Sequence, residues 1–287
     1  GERLRCISRI INHSSTGEGV LTVVTTMDGI ADRLIPVERF KEAVITLDYS
    51  SEIEPEKLAK KLVAMGFVRT GMVEDKGQFA IRGGIIDIFS YTDEAPVRIE
   101  LWDTEVDSIR MFDVESQRSI ERLQSYSIFP ATEYIFTEDE LKNGLYNIKE
   151  ECDRQLECFD YGKRKRTKEQ IEAGNNLNKL VADVERTGNY EKFTDTLVAD
   201  TVGLAEYFPE ENTLVVLDEP NRLKECNELT LYEYNESMKN RLAAGYVLPS
   251  QTNKVKAMNE IISDLRNNKK LILTTLDYKP EGFEIDY

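Results

Sequence analysis

Between Gln78 and Arg118 the chain reads QFAIRGGIIDIFSYTDEAPVRIELWDTEVDSIRMFDVESQR, and no other stretch restricts the possible fold as tightly. Apolar residues alternate at Val97, Ile99 and Leu101, so a strand here buries those three and turns Arg98, Glu100 and Trp102 to the opposite face. A truncation of outward-facing Arg98 is then expected to leave folding nearly untouched. Upstream, Phe79 and Ile81 are separated from Ile85, Ile86, Ile88 and Phe89 by Gly83-Gly84, a pair suited to a bulge or a close backbone approach. Downstream, the polar Asp103-Thr104-Glu105 precedes a third apolar run at Val106, Ile109 and Met111. These runs and breaks predict an antiparallel meander, with Arg82 just before the glycine break.

The same residues carry a family resemblance. FAIRGGIIDIF, then PVRIELWDTEVDSIR, then MFDVESQRS together resemble the domain that the transcription-repair coupling factors (the Mfd family) share with the excision-repair helicase UvrB. MFDVESQRS is similar to the Mfd form, whereas UvrB-like proteins usually continue with a phrase close to D-P-L-T-G. The resemblance extends more weakly across most of the chain. It implies a domain that binds UvrA, the damage-recognition subunit, through two arginines and an aromatic residue. By motif position these are Arg82 in IRGG, Arg98 in PVRIEL and Trp102 in ELWD, the last standing where a Phe is common. It also implies a parent protein that is an ATP-driven DNA translocase, whose motor and polymerase-binding regions are not matched in this chain, so RNA polymerase and DNA are partners only through other regions. Masking of the UvrA-binding surface by other domains of the full-length chain is a further implication.

Charge bears on the choice of partner. Among 287 residues, 37 are basic and 53 acidic, a formal net charge of −16. Such a balance repels a phosphate backbone, because duplex binding needs a basic face. From Thr46 to Pro130 the count is 10 basic and 16 acidic residues, 10 − 16 = −6. Arg82 and Arg98 are thus minority cations on an acidic domain, an arrangement suited to acidic side chains on another protein. The basic run Lys163-Arg164-Lys165-Arg166 invites a nucleic-acid reading, but a solvated charge run is the plainer one.

Catalytic and metal chemistry find little support. Cys6, Cys152, Cys158 and Cys226 match no common zinc spacing and read as free structural thiols, while a single His13, read as a surface loop residue, cannot furnish a His-rich site. No cofactor is expected. The opening GERLRCISRI lacks signal-peptide architecture and no apolar run spans a bilayer, which predicts a cytoplasmic protein; the missing initial Met suggests a fragment.

Outside the meander the chain reads as α/β. Glu2 to Asn12 is expected to be a helix ended by the loop Ser14 to Glu18. Gly19 to Thr25, GVLTVVT, reads as a buried strand by its β-branched content, followed by a short helix from Met27. Pro55 opens a helix whose inner face is Leu58, Leu62 and Met65 and whose solvated face is Lys57, Lys60 and Lys61. Thr137 opens another, continuing from Lys142 to Cys158 with a break near Gly144, and Gln170 to Arg186 adds a third. Gln251 to Leu265 is expected to be a helix with Val255, Met258, Ile262 and Leu265 inward, then a strand from Lys270 to Leu276.

Leu214 to Glu219, LVVLDE, has the form of a helicase Walker B strand, whose acids hold magnesium and orient an attacking water. A rival reading therefore makes this a fragment of a nucleotide-dependent helicase or nuclease using Asp218 and Glu219. No GxxxxGK[ST] loop accompanies it, so a nucleotide has no recognisable seat. The resemblance agrees, implying a helicase domain that has lost its nucleotide site and in which both acids only cap a turn. The expected fold class is α/β: a degenerate helicase-like scaffold of residues 1–45 and 131–287, interrupted by an antiparallel α+β domain at 46–130 that binds UvrA and performs no catalysis.

Overall fold

A computed structural model describes residues 2–17, 19–160, 165–198 and 200–275. In order, the chain forms α1 (Glu2–Thr16), α2 (Met27–Ala31), α3 (Val37–Ala43), β1 (Ile45–Asp48), α4 (Pro55–Ala64), β2 (Val68–Arg69), β3 (Gln78–Arg82), β4 (Ile85–Phe89), β5 (Val97–Trp102) and β6 (Glu105–Phe112). Then follow β7 (Ser119–Arg122), β8 (Ser125–Ile128), α5 (Glu138–Asp160), α6 (Lys168–Thr187), α7 (Thr194–Leu197), β9 (Leu214–Asp218), α8 (Pro220–Ala243), α9 (Met258–Asp264) and β10 (Lys269–Leu273). The result is a mixed α and β chain in two compact units, one of Gly1–Leu21 and Val37–Ile135, the other of Thr22–Pro36 and Phe136–Tyr287.

The first unit is built on a six-stranded sheet in the order β2-β3-β4-β5-β6-β7. All its pairings are antiparallel except β2 with β3, so the expected meander is present with a parallel edge strand added. The alternation holds for two of its three inward residues: Val97 and Ile99 are fully buried, Leu101 is only partly buried against the same core, and Phe79, Ile86, Ile88 and Ile109 join them under α4. That helix starts on Pro55 and buries Leu58, Ala59 and Leu62, leaving Lys57, Lys60 and Lys61 exposed. Each fully buried aliphatic side chain contributes roughly 1.5–3 kcal/mol, so this single apolar layer outweighs any surface interaction in the unit.

One irregularity keeps β6 in register. Glu100 lies opposite Ser108 but Leu101 lies opposite Val106, so Asp107 is an extra residue on β6. The bulge lets Val106 and Ile109 both face the core although they are three apart in sequence. At the other end of β4, Gly83 takes a left-handed φ of 60° in the turn joining Arg82 to Ile85. Gly84 is needed for a different reason: a Cβ there would lie 3.0 Å from the Leu101 carbonyl oxygen, while the Gly84 carbonyl accepts from the Leu101 amide at 2.8 Å.

In the second unit Met27, Ala31, Ile261 and Leu265 form a small core with Val215 packed against it. β9 and β10 pair in parallel, Leu214 opposite Lys269 through Asp218 opposite Leu273. Thr137 caps α5 through a reciprocal pair with Glu140, and Thr167 caps α6 in the same manner with Gln170.

Several expectations need correction. α1 continues to Thr16, where Gly17 at φ 66° ends it, so His13 lies in the helix and is half-buried rather than in a surface loop. Gly19 to Thr25 is not a buried strand: Val20 is 95% and Val24 92% exposed. β-branched side chains favour a strand only where a pleated neighbour packs against them, and among the described residues this segment has no ladder partner. α5 runs through Gly144 without a break, because its missing Cβ lets the Leu197 side chain sit against the helix. The last helix begins only at Met258; Val255 instead bridges to Asp32, and Ile261 rather than Ile262 is buried with Leu265. α8 was not legible as an element, and Leu276, Lys163 and Arg164 lie outside the described residues.

Candidate functional site

Strand alternation delivers Arg98 and Trp102 to the side of the sheet opposite the main core, and Arg82 reaches that side from the end of β3. Arg82 and Trp102 stand at the same end of the sheet, since the turn after Arg82 is hydrogen-bonded to Leu101. Their exposures differ sharply. Trp102 is 79% exposed, the Arg82 side chain 44%, and the Arg98 side chain only 13%.

The cause is Asp87, which pairs directly with Arg98 across β4 and β5 and whose side chain is 1% exposed. Arg98 donates Nε to Asp87 Oδ1 at 2.7 Å and Nη2 to Oδ2 at 2.9 Å, a bidentate fork. Arg82 donates Nη2 to the same Oδ2 at 2.6 Å. One buried carboxylate thus holds two guanidinium groups and leaves the cluster with one net positive charge. Its hydrogen bonds and charge raise the Arg98 pKa above the ordinary arginine value against the opposing effect of burial.

This face is also less open than alternation implies. Val73, Ala80 and Phe89 are buried on it with Val114 against them, because the segment after β6 folds back. Asp113 and Gln117 close that segment by backbone hydrogen bonds, and Gln117 takes a left-handed φ of 57°. Its Oε1 accepts from Arg98 Nη2 at 2.8 Å, and the Phe112 ring lies 4.3 Å from the Arg98 guanidinium carbon. The expectation that Arg98 could be truncated without consequence for folding is therefore corrected: removal strips one partner from a buried carboxylate. Arg110, directly opposite Arg98, is drawn aside by Glu100, which also accepts from Ser108 at 2.9 Å.

Asp87, Phe112 and Gln117 escaped the sequence reading. Asp87 carried a signal, a lone charge inside the apolar run IIDIF; Gln117 carried none, because its reach depends on the fold-back of its turn.

Asp218 and Glu219 sit at the end of β9, where Glu219 has a left-handed φ of 52° and precedes α8. Its carboxylate accepts from the Thr275 backbone amide at 2.5 Å and from the Thr275 hydroxyl, which lowers its pKa. Glu219 thus ties the exit of β9 to that of β10. All four cysteines are free, with Cys152 buried, and among the described residues no cluster of His, Cys, Asp and Glu is arranged to hold a metal. No helix among the described residues is long and apolar enough to cross a membrane.

Residues 45–134 match the model of the UvrB interaction domain, a span that contains the whole sheet and the arginine cluster. Beyond it, the transcription-repair-coupling factor of Bacillus subtilis (strain 168) is 37% identical over 248 residues, covering 83% of this chain and 20% of that protein. The protein of the same name from Staphylococcus haemolyticus is 32% identical over 244 residues, 85% of this chain and 20% of its own. The chain belongs to the transcription-repair-coupling factor family. It spans about a fifth of the length of the curated relatives it matches. In this family member the arginine–carboxylate cluster and Trp102 lie within the UvrB interaction domain, whereas Asp218 and Glu219 fall outside it.

Proposed function

We propose that this chain is a non-catalytic recruitment module that binds UvrA through Arg82, Arg98 and Trp102, and so brings nucleotide excision repair to RNA polymerase stalled at a DNA lesion. The observation that carries the reading is Trp102, an indole 79% exposed beside a guanidinium pair on a shared buried carboxylate. Exposed aromatic and arginine side chains are the residues in which partner contacts concentrate their energy. The surrounding acidity favours a protein partner over a nucleic acid. Around this surface, residues 46–130 are read as an insertion in a helicase-like scaffold formed by 1–45 and 131–287. The parallel pairing of β9 with β10 and the acids at the end of β9 support that part. With Glu219 engaged by Thr275, the scaffold is read as having no nucleotide chemistry and no cofactor of its own.

A titration of the chain with UvrA tests the proposal. Trp102→Ala should weaken binding at least about tenfold, the factor that 1.4 kcal/mol makes, with an unchanged melting temperature. Unchanged affinity for Trp102→Ala would place the binding surface elsewhere. Saturable ATP binding with magnesium, abolished by Asp218→Ala, would restore the enzymatic reading.

A further inference from the structure

We propose that Asp87, Phe112 and Gln117 are positioning residues for the partner surface, acting through Arg98: they hold its guanidinium by one edge and one face and leave the Nη1 edge for the partner. The inference rests on the UvrA-binding reading and adds to it the turn FDVESQ, which otherwise serves only as a family mark.

The donor inventory of Arg98 leads there. A guanidinium has five N–H groups in a fixed plane. Nε donates to Asp87, and both Nη2 hydrogens are used, one on Asp87 and one on Gln117. The flat face rests on Phe112. Among the described residues Nη1 makes no hydrogen bond, so its two N–H groups are the ones left to offer.

Asp87 and Gln117 approach from different elements, β4 and the turn after β6, and each is itself fixed. Asp87 is buried and also bound by Arg82. Gln117 donates Nε2 to the Val114 carbonyl at 2.8 Å while its amide is held by Asp113. A long, rotamer-rich side chain immobilised before binding loses less entropy when it binds. The left-handed φ of 57° at Gln117 is the kind of backbone cost that persists where the surroundings impose it. Here it aims Oε1 at Arg98.

The test is a double-mutant cycle on the whole chain, with UvrA as titrant. Gln117→Ala should weaken binding about fivefold, within what one hydrogen bond to a charged group supplies. Gln117→Glu, which keeps the acceptor oxygen, should bind within about twofold of the parent. In an Arg98→Ala background, Gln117→Ala should cause no further loss, because a positioning residue has nothing left to position. That non-additivity decides the matter even if Gln117→Ala lowers the melting temperature, since a purely structural loss adds to that of Arg98→Ala. Additive losses, or parental binding by Gln117→Ala while Trp102→Ala is weakened, overturn the positioning role and leave the UvrA reading standing. If the parent chain fails to bind UvrA, or Arg98→Ala and Trp102→Ala both bind as the parent does, the UvrA reading falls and the positioning role with it.

Discussion

The six-stranded sheet and the parallel pair β9-β10 are built from similar apolar runs, yet they end in opposite conditions. In the sheet each antiparallel strand meets the next through a short turn and the apolar faces close under α4. In the parallel pair, α8 and α9 intervene between the strands, and among the described residues only one face is lined by a core. On the other face Leu214, Val216, Leu271 and Leu273 remain 59%, 51%, 47% and 45% exposed. Parallel sheets are ordinarily covered on both faces. The contrast shows that an alternating pattern closed by hairpins carries its own partner, whereas a continuous apolar run depends on elements remote in sequence.

If this contrast is right, core truncations should separate the two regions most strongly. Ile99→Ala, in the closed face, should cost about 4 kcal/mol of unfolding free energy, measured by denaturant titration; a loss below about 1 kcal/mol would mean that the sheet is not where stability resides. Next in size, Arg98→Ala should cost about 2 kcal/mol, since Asp87 keeps Arg82 but loses its bidentate partner. A melt matching the parent would show that Arg82 alone satisfies the carboxylate. Val216→Ala, on the bare face of the parallel pair, should stay within about 0.5 kcal/mol, and a core-sized loss would contradict its exposure.

The smallest effect concerns pH and lies in the turn between β4 and β5. Burial raises the Asp93 pKa above its ordinary 3.8, against the hydrogen bond it accepts from the Tyr126 hydroxyl at 2.6 Å. A carboxyl raised on folding favours the folded state while protonated. Its contribution is fully present below 3.8 and is lost as pH rises through the raised value. Urea melts of Asp93→Asn and the parent, compared across that window, should show the variant lacking this loss with rising pH. Parallel pH profiles would remove Asp93 from the account.

What was legible in the sequence follows the same division. The meander, α4 and the outward direction of Arg98 and Trp102 came from local periodicity, which short turns translate directly into structure. Gly19 to Thr25 failed because its Val and Thr content reports only what a strand would want from a neighbour. α8 escaped because its sequence lacks a clear apolar stripe; of its side chains only Pro220 and Asn227 are buried. At the site, outwardness was read correctly but openness was not. The reduced exposure of Arg98 comes from Asp87, Phe112 and Gln117 together, and Gln117 is brought in by the fold-back of the turn at Asp113 to Arg118, whose pattern gives no hint of where it lands.

The extra residue on β6 has a genetic corollary. Asp107 is exposed, and its side chain is free to be almost anything. Nor is its place in the chain fixed by the alternation, because removing it would leave Val106 and Ile109 two apart, the spacing at which a regular strand puts both on one face. The domain should therefore tolerate the loss of that one codon, and a survey of viable alleles should find Asp107 both freely substituted and deleted.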